Sequence, residues 1–314
     1  MICRRILLGT LVSATLISGS TLAIAADKPY VPLISKGFSH QFWQAVKIGA
    51  EKAGEEFNVE ITFEGPDNEG QVDRQIDMLA AALAKEPAAI GFAAVDSQAS
   101  IPMLRKIEKA GVPVIAFDSG VDSEIPVTTT TTDNVAAAAL AADKMAEAIG
   151  SAGNVAVISH DQTSRTGIDR VDGFVNRIAE KYPDIKVVSV QYGGGDHLKS
   201  TEITKSILTA NPDLKGIFGA NEGSAIGVVN GVKEANADIV IIGFDSGAAQ
   251  KAAVRSGLMA GAITQNPVGI GYETVKAAVM TMKGEKVPPI IDTGFYYYDA
   301  SNMDDPKIAA VLYD

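Results

Sequence analysis

The stretch Val114-Ile115-Ala116-Phe117-Asp118-Ser119-Gly120 returns in the second half of the chain as Val240-Ile241-Ile242-Gly243-Phe244-Asp245-Ser246-Gly247. In each, a short apolar run delivers Phe-Asp-Ser-Gly at its end. Such runs, bounded by turn residues, read as buried strands of the kind parallel sheets contain. Open parallel sheets bind ligands beyond the carboxyl ends of their strands. Asp118 and Asp245 are therefore expected at matching positions in two halves, facing one shared cleft. Either Asp alone suits a cap on the following helix about as well. The matched pair favours the ligand.

Around these two strands the pattern is regular. An apolar run at 30–35 precedes a helix over 41–57, in which Phe42, Val46, Gly49 and Ala53 share a face. Strand 59–63, helix 71–85, strand 89–94, helix 100–110 and strand 112–117 follow. Alternation of this kind implies βαβ units and a parallel sheet, hence an α/β fold. After the threonine run 128–132, read as an extended segment crossing between lobes, the series restarts. Asp133 or Asn134 is placed to cap an Ala-rich helix at 135–149. Strands at 154–159, 186–191, 216–219 and 239–244 then alternate with helices at 166–181, 199–210 and 224–235.

The N-terminus carries an export address. Arg4 and Arg5, the apolar residues 6–17 and the A-x-A pattern Ala23-Ile24-Ala25 form the three parts of a secretory signal peptide, residues 1–26, cleaved near Ala25 or Ala26. Cys3 is the only cysteine and lies within it, so disulfides, thiolate metal sites and a catalytic thiol are excluded from the mature chain. Removing the two arginines leaves 25 basic against 38 acidic residues, a net charge of −13. That balance disfavours nucleic acid and anionic lipid but not a neutral ligand. About 288 mature residues fit two domains better than one core.

No catalytic signature is present: no phosphate loop, no HExxH helix and no G-x-S-x-G elbow. Gly193-Gly194-Gly195 reads as a flexible turn. The histidines His40, His160 and His197 are scattered, which speaks against a metal site, and no cofactor is expected. Asp118 and Asp245 could serve as the acid/base pair of an exported sugar hydrolase. Carboxylates that accept bonds from sugar hydroxyls need the same residue type, and binding is the plainer reading. Sugar sites also need flat aromatic faces. Phe42 and Trp43 supply them just after a loop, and because adjacent helix positions diverge, at least one should project toward that loop.

Six segments together carry a resemblance: His40-Gln41-Phe42-Trp43, Val112 to Asp118, Thr132-Asp133-Asn134, Asp169 to Phe174, Gly219-Ala220-Asn221-Glu222 and Ile242 to Asp245. In that order they resemble the ribose-binding-protein family of periplasmic sugar receptors, whose fold is shared by the ligand domain of lac-repressor-type regulators. The resemblance implies the type I periplasmic binding fold, two Rossmann-like parallel-sheet lobes joined by a three-segment hinge. It implies lobes of 27–131 plus 266–292 and 132–265 plus 293–314, with crossings near Thr132, Gln265 and Thr293. A regulator of the shared fold would carry a helix-turn-helix where this chain has its signal.

The resemblance also implies a site. Its first-loop polar residue and two stacking aromatics fall on His40, Phe42 and Trp43. Its cleft aspartate falls on Asp118, with Ser119 beside it where ribose binders carry arginine. The second lobe contributes Asn221, Asp245 and the hinge residue Gln265. Ile168 stands at the second-lobe arginine position, so Arg165 or Arg170 must substitute, and Arg165, in the polar loop 161–166, is preferred. Gly195 replaces a lobe-loop aromatic. The implied function is capture of a monosaccharide or related polyhydroxylated ligand by a monomer, and its delivery to the permease of an ABC transporter, with a chemoreceptor as a further partner.

Overall fold

The computed structural model describes residues 28–314, so the signal-peptide expectation lies outside the described residues. Strands and helices are numbered along the chain. The first sheet contains β1 (Tyr30–Ile34), β2 (Glu60–Glu64), β3 (Ile90–Phe92), β4 (Val114–Phe117), β5 (Thr128–Thr131) and β11 (Ile290–Asp292). The second contains β6 (Gly153–Ser159), β7 (Ile185–Tyr192), β8 (Leu214–Gly219), β9 (Val240–Phe244), β10 (Gly261–Gln265) and β12 (Phe295–Tyr298). Their orders are β2-β1-β3-β4-β5-β11 and β7-β6-β8-β9-β10-β12. These are the same winding twice, and every pairing is parallel except β10 with β12. In each sheet the strand order reverses beside the first strand, which opens a crevice at the strands' carboxyl ends.

The helices are α1 (Gln41–Phe57), α2 (Val72–Leu83), α3 (Ile101–Lys109), α4 (Asn134–Ile149), α5 (Arg165–Lys181), α6 (His197–Ala210), α7 (Glu222–Glu234), α8 (Ala248–Arg255), α9 (Pro267–Met282) and the short α10 (Pro306–Ala309). None of the described helices is long and apolar enough to cross a membrane. Buried β3 and β4 are apolar on both faces because helices cover both sides of the sheet. In α4, Ala137, Ala138, Ala141, Ala142 and Ala146 are all fully buried against the second sheet. α1 and α9 meet at glycines: a Cβ on Gly49 would lie 2.0 Å from the Val268 oxygen, and one on Gly271 would lie 1.9 Å from that of Val46. A side chain there would push the helices apart.

One local expectation is corrected and one open choice is resolved. The threonine run is not a crossing segment over its length: Thr128–Thr131 is β5, held between β4 and β11, and only Thr132 passes to the other lobe. Alternate threonines are buried there, and Thr130 meets the Thr274 hydroxyl at 2.5 Å, so β-branched residues serve as an inner strand. Of the two candidate caps for α4, Asp133 takes the role, accepting the Ala136 N–H.

The chain passes between the sheets three times, after β5, after β10 and between β11 and β12. The passages are tied together. Thr293 N–H donates to the Thr131 carbonyl at 2.9 Å, and the Thr132 hydroxyl donates to Gln265 Oε1 at 2.9 Å.

Candidate functional site

Both Phe-Asp-Ser-Gly segments end their strands with a backbone reversal in which the Asp adopts positive φ, 54° at Asp118 and 80° at Asp245. Asp tolerates the left-handed region better than most residues because its short side chain bonds locally. The reversal is pinned from the neighbouring strand: Asp118 N–H donates to the Thr130 carbonyl at 2.8 Å, and Asp245 N–H to that of Ile263 at 2.6 Å. Neither carboxylate caps the next helix. The N-cap of α8 is Gly247, with no side-chain cap, and Asp245 instead accepts from Gln265 Nε2 at 2.7 Å and from Glu222 N–H at 2.9 Å. Helix capping is therefore overturned for both aspartates.

The two carboxylates border one cavity between the sheets. The first lobe contributes Lys36, His40, Phe42, Trp43, Glu69 and Asp118 to its wall. The second contributes His160, Thr166, Arg170, Asn221, Asp245 and Gln265. Of the residues singled out from sequence, His40, Phe42, Trp43, Asp118, Arg170, Asn221, Asp245 and Gln265 are brought together. Ser119 and Arg165 are not.

Arg165, preferred from the sequence, and Arg170 are set apart by where α5 begins. Arg165 is not in a loop but opens the helix, with its side chain turned to Asp169 and to Asp122 of the first lobe. Thr166 and Arg170, four residues apart, share the face that looks into the cavity. Arg170 is 3% exposed. Its Nε donates to Asn134 Oδ1 and its Nη1 to the Ala220 carbonyl, and its guanidinium lies 3.7 Å from the Phe244 ring centroid. Ser119 is fully buried with its hydroxyl unpaired and does not line the cavity.

The aromatic expectation is also revised. Phe42 and Trp43 both belong to the first lobe's core, their rings edge to face at 4.9 Å, and both also border the cavity. They need not diverge, because the first turn of α1 abuts the cavity along its end. Trp43 Nε1 donates to Glu69 at 2.8 Å, which fixes the indole plane. Asn221 has two tasks: its oxygen caps α7 by accepting the Ser224 N–H, and its amide nitrogen remains for the cavity. His40 Nε2 lies 3.1 Å from the Gly195 carbonyl, across the lobes. Gly194 and Gly195 both have positive φ, and a Cβ on Gly195 would lie 3.2 Å from both His40 and Asn221. The glycine turn is thus a close interlobe contact.

Lys36, Glu69, His160 and Thr166 were not foreseen. Lys36 donates to the Thr166 hydroxyl at 2.9 Å across the lobes and stands 3.8 Å from Glu69. A positional signal existed for two of them. His160 directly follows β6 as Asp118 follows β4, and Lys36 stands two residues beyond β1. Glu69, in the β2–α2 loop, had no such marker.

Burial dominates the electrostatics. It pushes Asp118 up to about 6, against the pull of Lys36 and Arg170, and no protein donor reaches its carboxylate among the hydrogen bonds of the described residues. Burial also raises Asp245, opposed by Arg170 and its two hydrogen bonds. Glu69 goes the other way: burial works against its charge, but Lys36, His40, His160 and the Trp43 bond hold it at about 2. His160 is kept below its ordinary value by burial and by Lys36. Among the described residues, no three His, Cys, Asp or Glu side chains cluster to hold a metal ion.

A sequence model of the periplasmic binding protein domain matches residues 31–286. The ribose import binding protein of Escherichia coli is 26% identical over 281 residues, covering 89% of this chain and 94% of the relative. The crystal structure of a carbohydrate-transporter solute-binding protein from Agrobacterium radiobacter, in complex with D-arabinose, is 33% identical. It superposes with a TM-score of 0.87 over 92% of this chain and 100% of that one. An ABC-transporter solute-binding protein from Agrobacterium vitis with bound D-fucose is 32% identical, with a TM-score of 0.88 over 90% and 100% of the two chains.

Proposed function

The chain belongs to the ribose-binding-protein family of periplasmic binding proteins, and from that premise we propose that it captures a single-ring sugar or closely related polyol between its lobes for import. The observation that carries the reading is Asp118, 4% exposed, whose carboxylate has no protein donor and faces Lys36, Arg170 and the Trp43 ring. A buried carboxylate without donors is costly, and vicinal hydroxyls of a sugar supply them. Lys36, Arg170 and Asn221 offer donors to other hydroxyls, and Phe42 and Trp43 offer apolar surface for the C–H face.

Relatives that carry D-arabinose and D-fucose support a neutral sugar without naming this one. The protein is a binder rather than an enzyme; the hydrolase alternative has no support from the family. Asp245 is held by the Gln265 amide and the Glu222 backbone N–H, as a binding carboxylate would be. Export to the periplasm after cleavage near Ala25 or Ala26, action as a monomer, docking on an ABC permease and presentation to a chemoreceptor complete the proposal. The three crossings at Thr132, Gln265 and Thr293 serve as the hinge, with lobes of 27–131 plus 266–292 and 132–265 plus 293–314.

The test is a thermal-shift screen of the mature protein against pentoses, hexoses, deoxy sugars and polyols, followed by calorimetry on those that raise the melting point. A ligand that binds only the folded form must stabilise it. A panel without any stabilising member would remove the sugar reading.

A further inference from the structure

Glu69 is a carboxylate of the cavity wall that the ligand contacts proposed above do not use. It is 6% exposed, its Oε1 accepts the Trp43 indole N–H, and Lys36 and His40 stand 3.8 and 3.6 Å away. It borders both the inner cavity and the outer recess of the cleft, where Asp67 and Asp196 also stand. We infer that Glu69 is a specificity-determining residue, a fixed negative charge that makes the cavity refuse sugar acids while admitting neutral sugars. The inference rests on the sugar-binding reading and adds the charge class of the ligand.

The charges on the cavity wall do not cancel. Lys36 and Arg170 are the two cations on the wall, and both carry donors that suit a carboxylate. Left with Asp118 and Asp245 alone, they would make a neutral cavity able to receive an anion. Glu69 makes the count three against two. Burial leaves little water to screen it, so its field reaches a ligand a few ångströms away at well above its strength in solvent. Asp118 cannot perform this task reliably, because its raised pKa of about 6 lets it take a proton and donate to an incoming acid. Glu69, held at about 2, stays ionised. The competing view is that Glu69 only fixes the Trp43 ring. A glutamine would still do that through its amide oxygen, which separates the two roles.

The experiment measures binding of D-fucose, D-arabinose, D-allose and D-ribose by calorimetry, each beside the sugar acid of the same configuration, for wild type and Glu69→Gln. Wild type should bind at least one neutral sugar and bind its acid more weakly by about a hundredfold or more, as expected for a like charge at an effective dielectric near 20. In E69Q the neutral-to-acid ratio should fall by about a hundredfold, the scale of removing that one charge. Glu69→Asp, which keeps the charge and alters the fit to Trp43, should retain the discrimination and serves if E69Q does not melt cooperatively. Equal wild-type affinity for a sugar and its acid, an unchanged ratio in E69Q, or a lost ratio in E69D overturns the inference. Absence of any neutral ligand for wild type would instead strike the sugar-binding reading itself.

Discussion

The Glu222 carboxylate accepts the backbone N–H groups of Gln41 and Phe42 at 3.2 and 3.0 Å, and the Gln41 side-chain oxygen accepts the Ala248 N–H at 2.8 Å. Neither α1 nor α8 has a cap bond from its own N-cap side chain. Each helix is capped from the other lobe, so the exchange ties the two lobes together across the cleft. A carboxylate at a helix N-terminus also meets the favourable end of the helix dipole.

Closure should therefore depend on Glu222 although it does not line the cavity. Hydrogen bonds to a charged group contribute about 1.5–3 kcal/mol, so Glu222→Ala should weaken ligand affinity roughly 10- to 100-fold. Gln41→Ala, which removes one neutral bond of about 0.5–1.5 kcal/mol, should weaken it by about 2- to 10-fold. Calorimetry gives the affinities, and small-angle scattering should show a larger radius for ligand-free E222A than for wild type. Wild-type affinity in E222A would mean that closure does not draw on this exchange.

Asp118 should trade stability for binding. Its pKa stands at about 6 against an ordinary 3.8, a shift that disfavours the folded, ionised state at neutral pH. Asparagine tolerates the same positive φ and carries no charge. Asp118→Asn should stabilise the ligand-free protein by about 1–3 kcal/mol at pH 7 while abolishing measurable sugar binding. The sign fixes the pH window: a raised carboxyl destabilises fully above about 6, and the penalty fades as pH falls toward the unfolded value. Denaturant unfolding at pH 7.5 and pH 5 should show the gain from D118N shrinking at the lower pH. An equal or larger gain at pH 5 would place its cause elsewhere.

The same group sets the pH dependence of binding. Ligand hydroxyls need the ionised carboxylate, so capture below about pH 6 must first release the proton that burial favours. Affinity should be level from pH 7 to 8 and fall by up to about tenfold per pH unit below 6. Calorimetry in buffers of different ionisation enthalpy should detect proton release at pH 5.5 and none at pH 7.5. A flat profile down to pH 5 would show that Asp118 is not the acceptor.

The repeat of Phe-Asp-Ser-Gly made the fold and half of the site legible, because strand ends in parallel sheets are where a buried chain must emerge and meet a ligand. Asp118, Asp245, Asn221 and Gln265 follow from that rule or from the resemblance, and all reach the cavity. Contacts that depend on closure were not legible. Lys36 meets Thr166, and Glu222 meets Gln41, only when distant segments of the two lobes come together. Helix phase was the other obstacle. A start at Arg165 rather than one residue later puts Arg165 on the rim and leaves Arg170 on the cavity face, and such boundaries are the least certain part of any pattern reading.

The two arginines should consequently behave as opposites. Arg165 is part-exposed, and its partners Asp169 and Asp122 are surface carboxylates, so its pairs contribute about 0–1 kcal/mol. Arg165→Ala should change ligand affinity by less than about fivefold and leave the melting point near wild type. Arg170 is buried among Asn134, the Ala220 carbonyl and the Phe244 ring. Truncating it strands two acceptors and leaves Asp118 and Asp245 without their shared cation, a loss of about 3–5 kcal/mol for breaking a buried charge contact. Arg170→Ala should therefore lower the melting point as well as abolish binding. Arg170→Lys keeps the charge but loses the planar fork and the stacking on Phe244, so it should recover stability in part and affinity poorly. Thermal melts and calorimetry on the three variants decide the matter. If R165A lost binding while R170A kept it, the sugar would have to sit at the rim of the cleft rather than between the lobes.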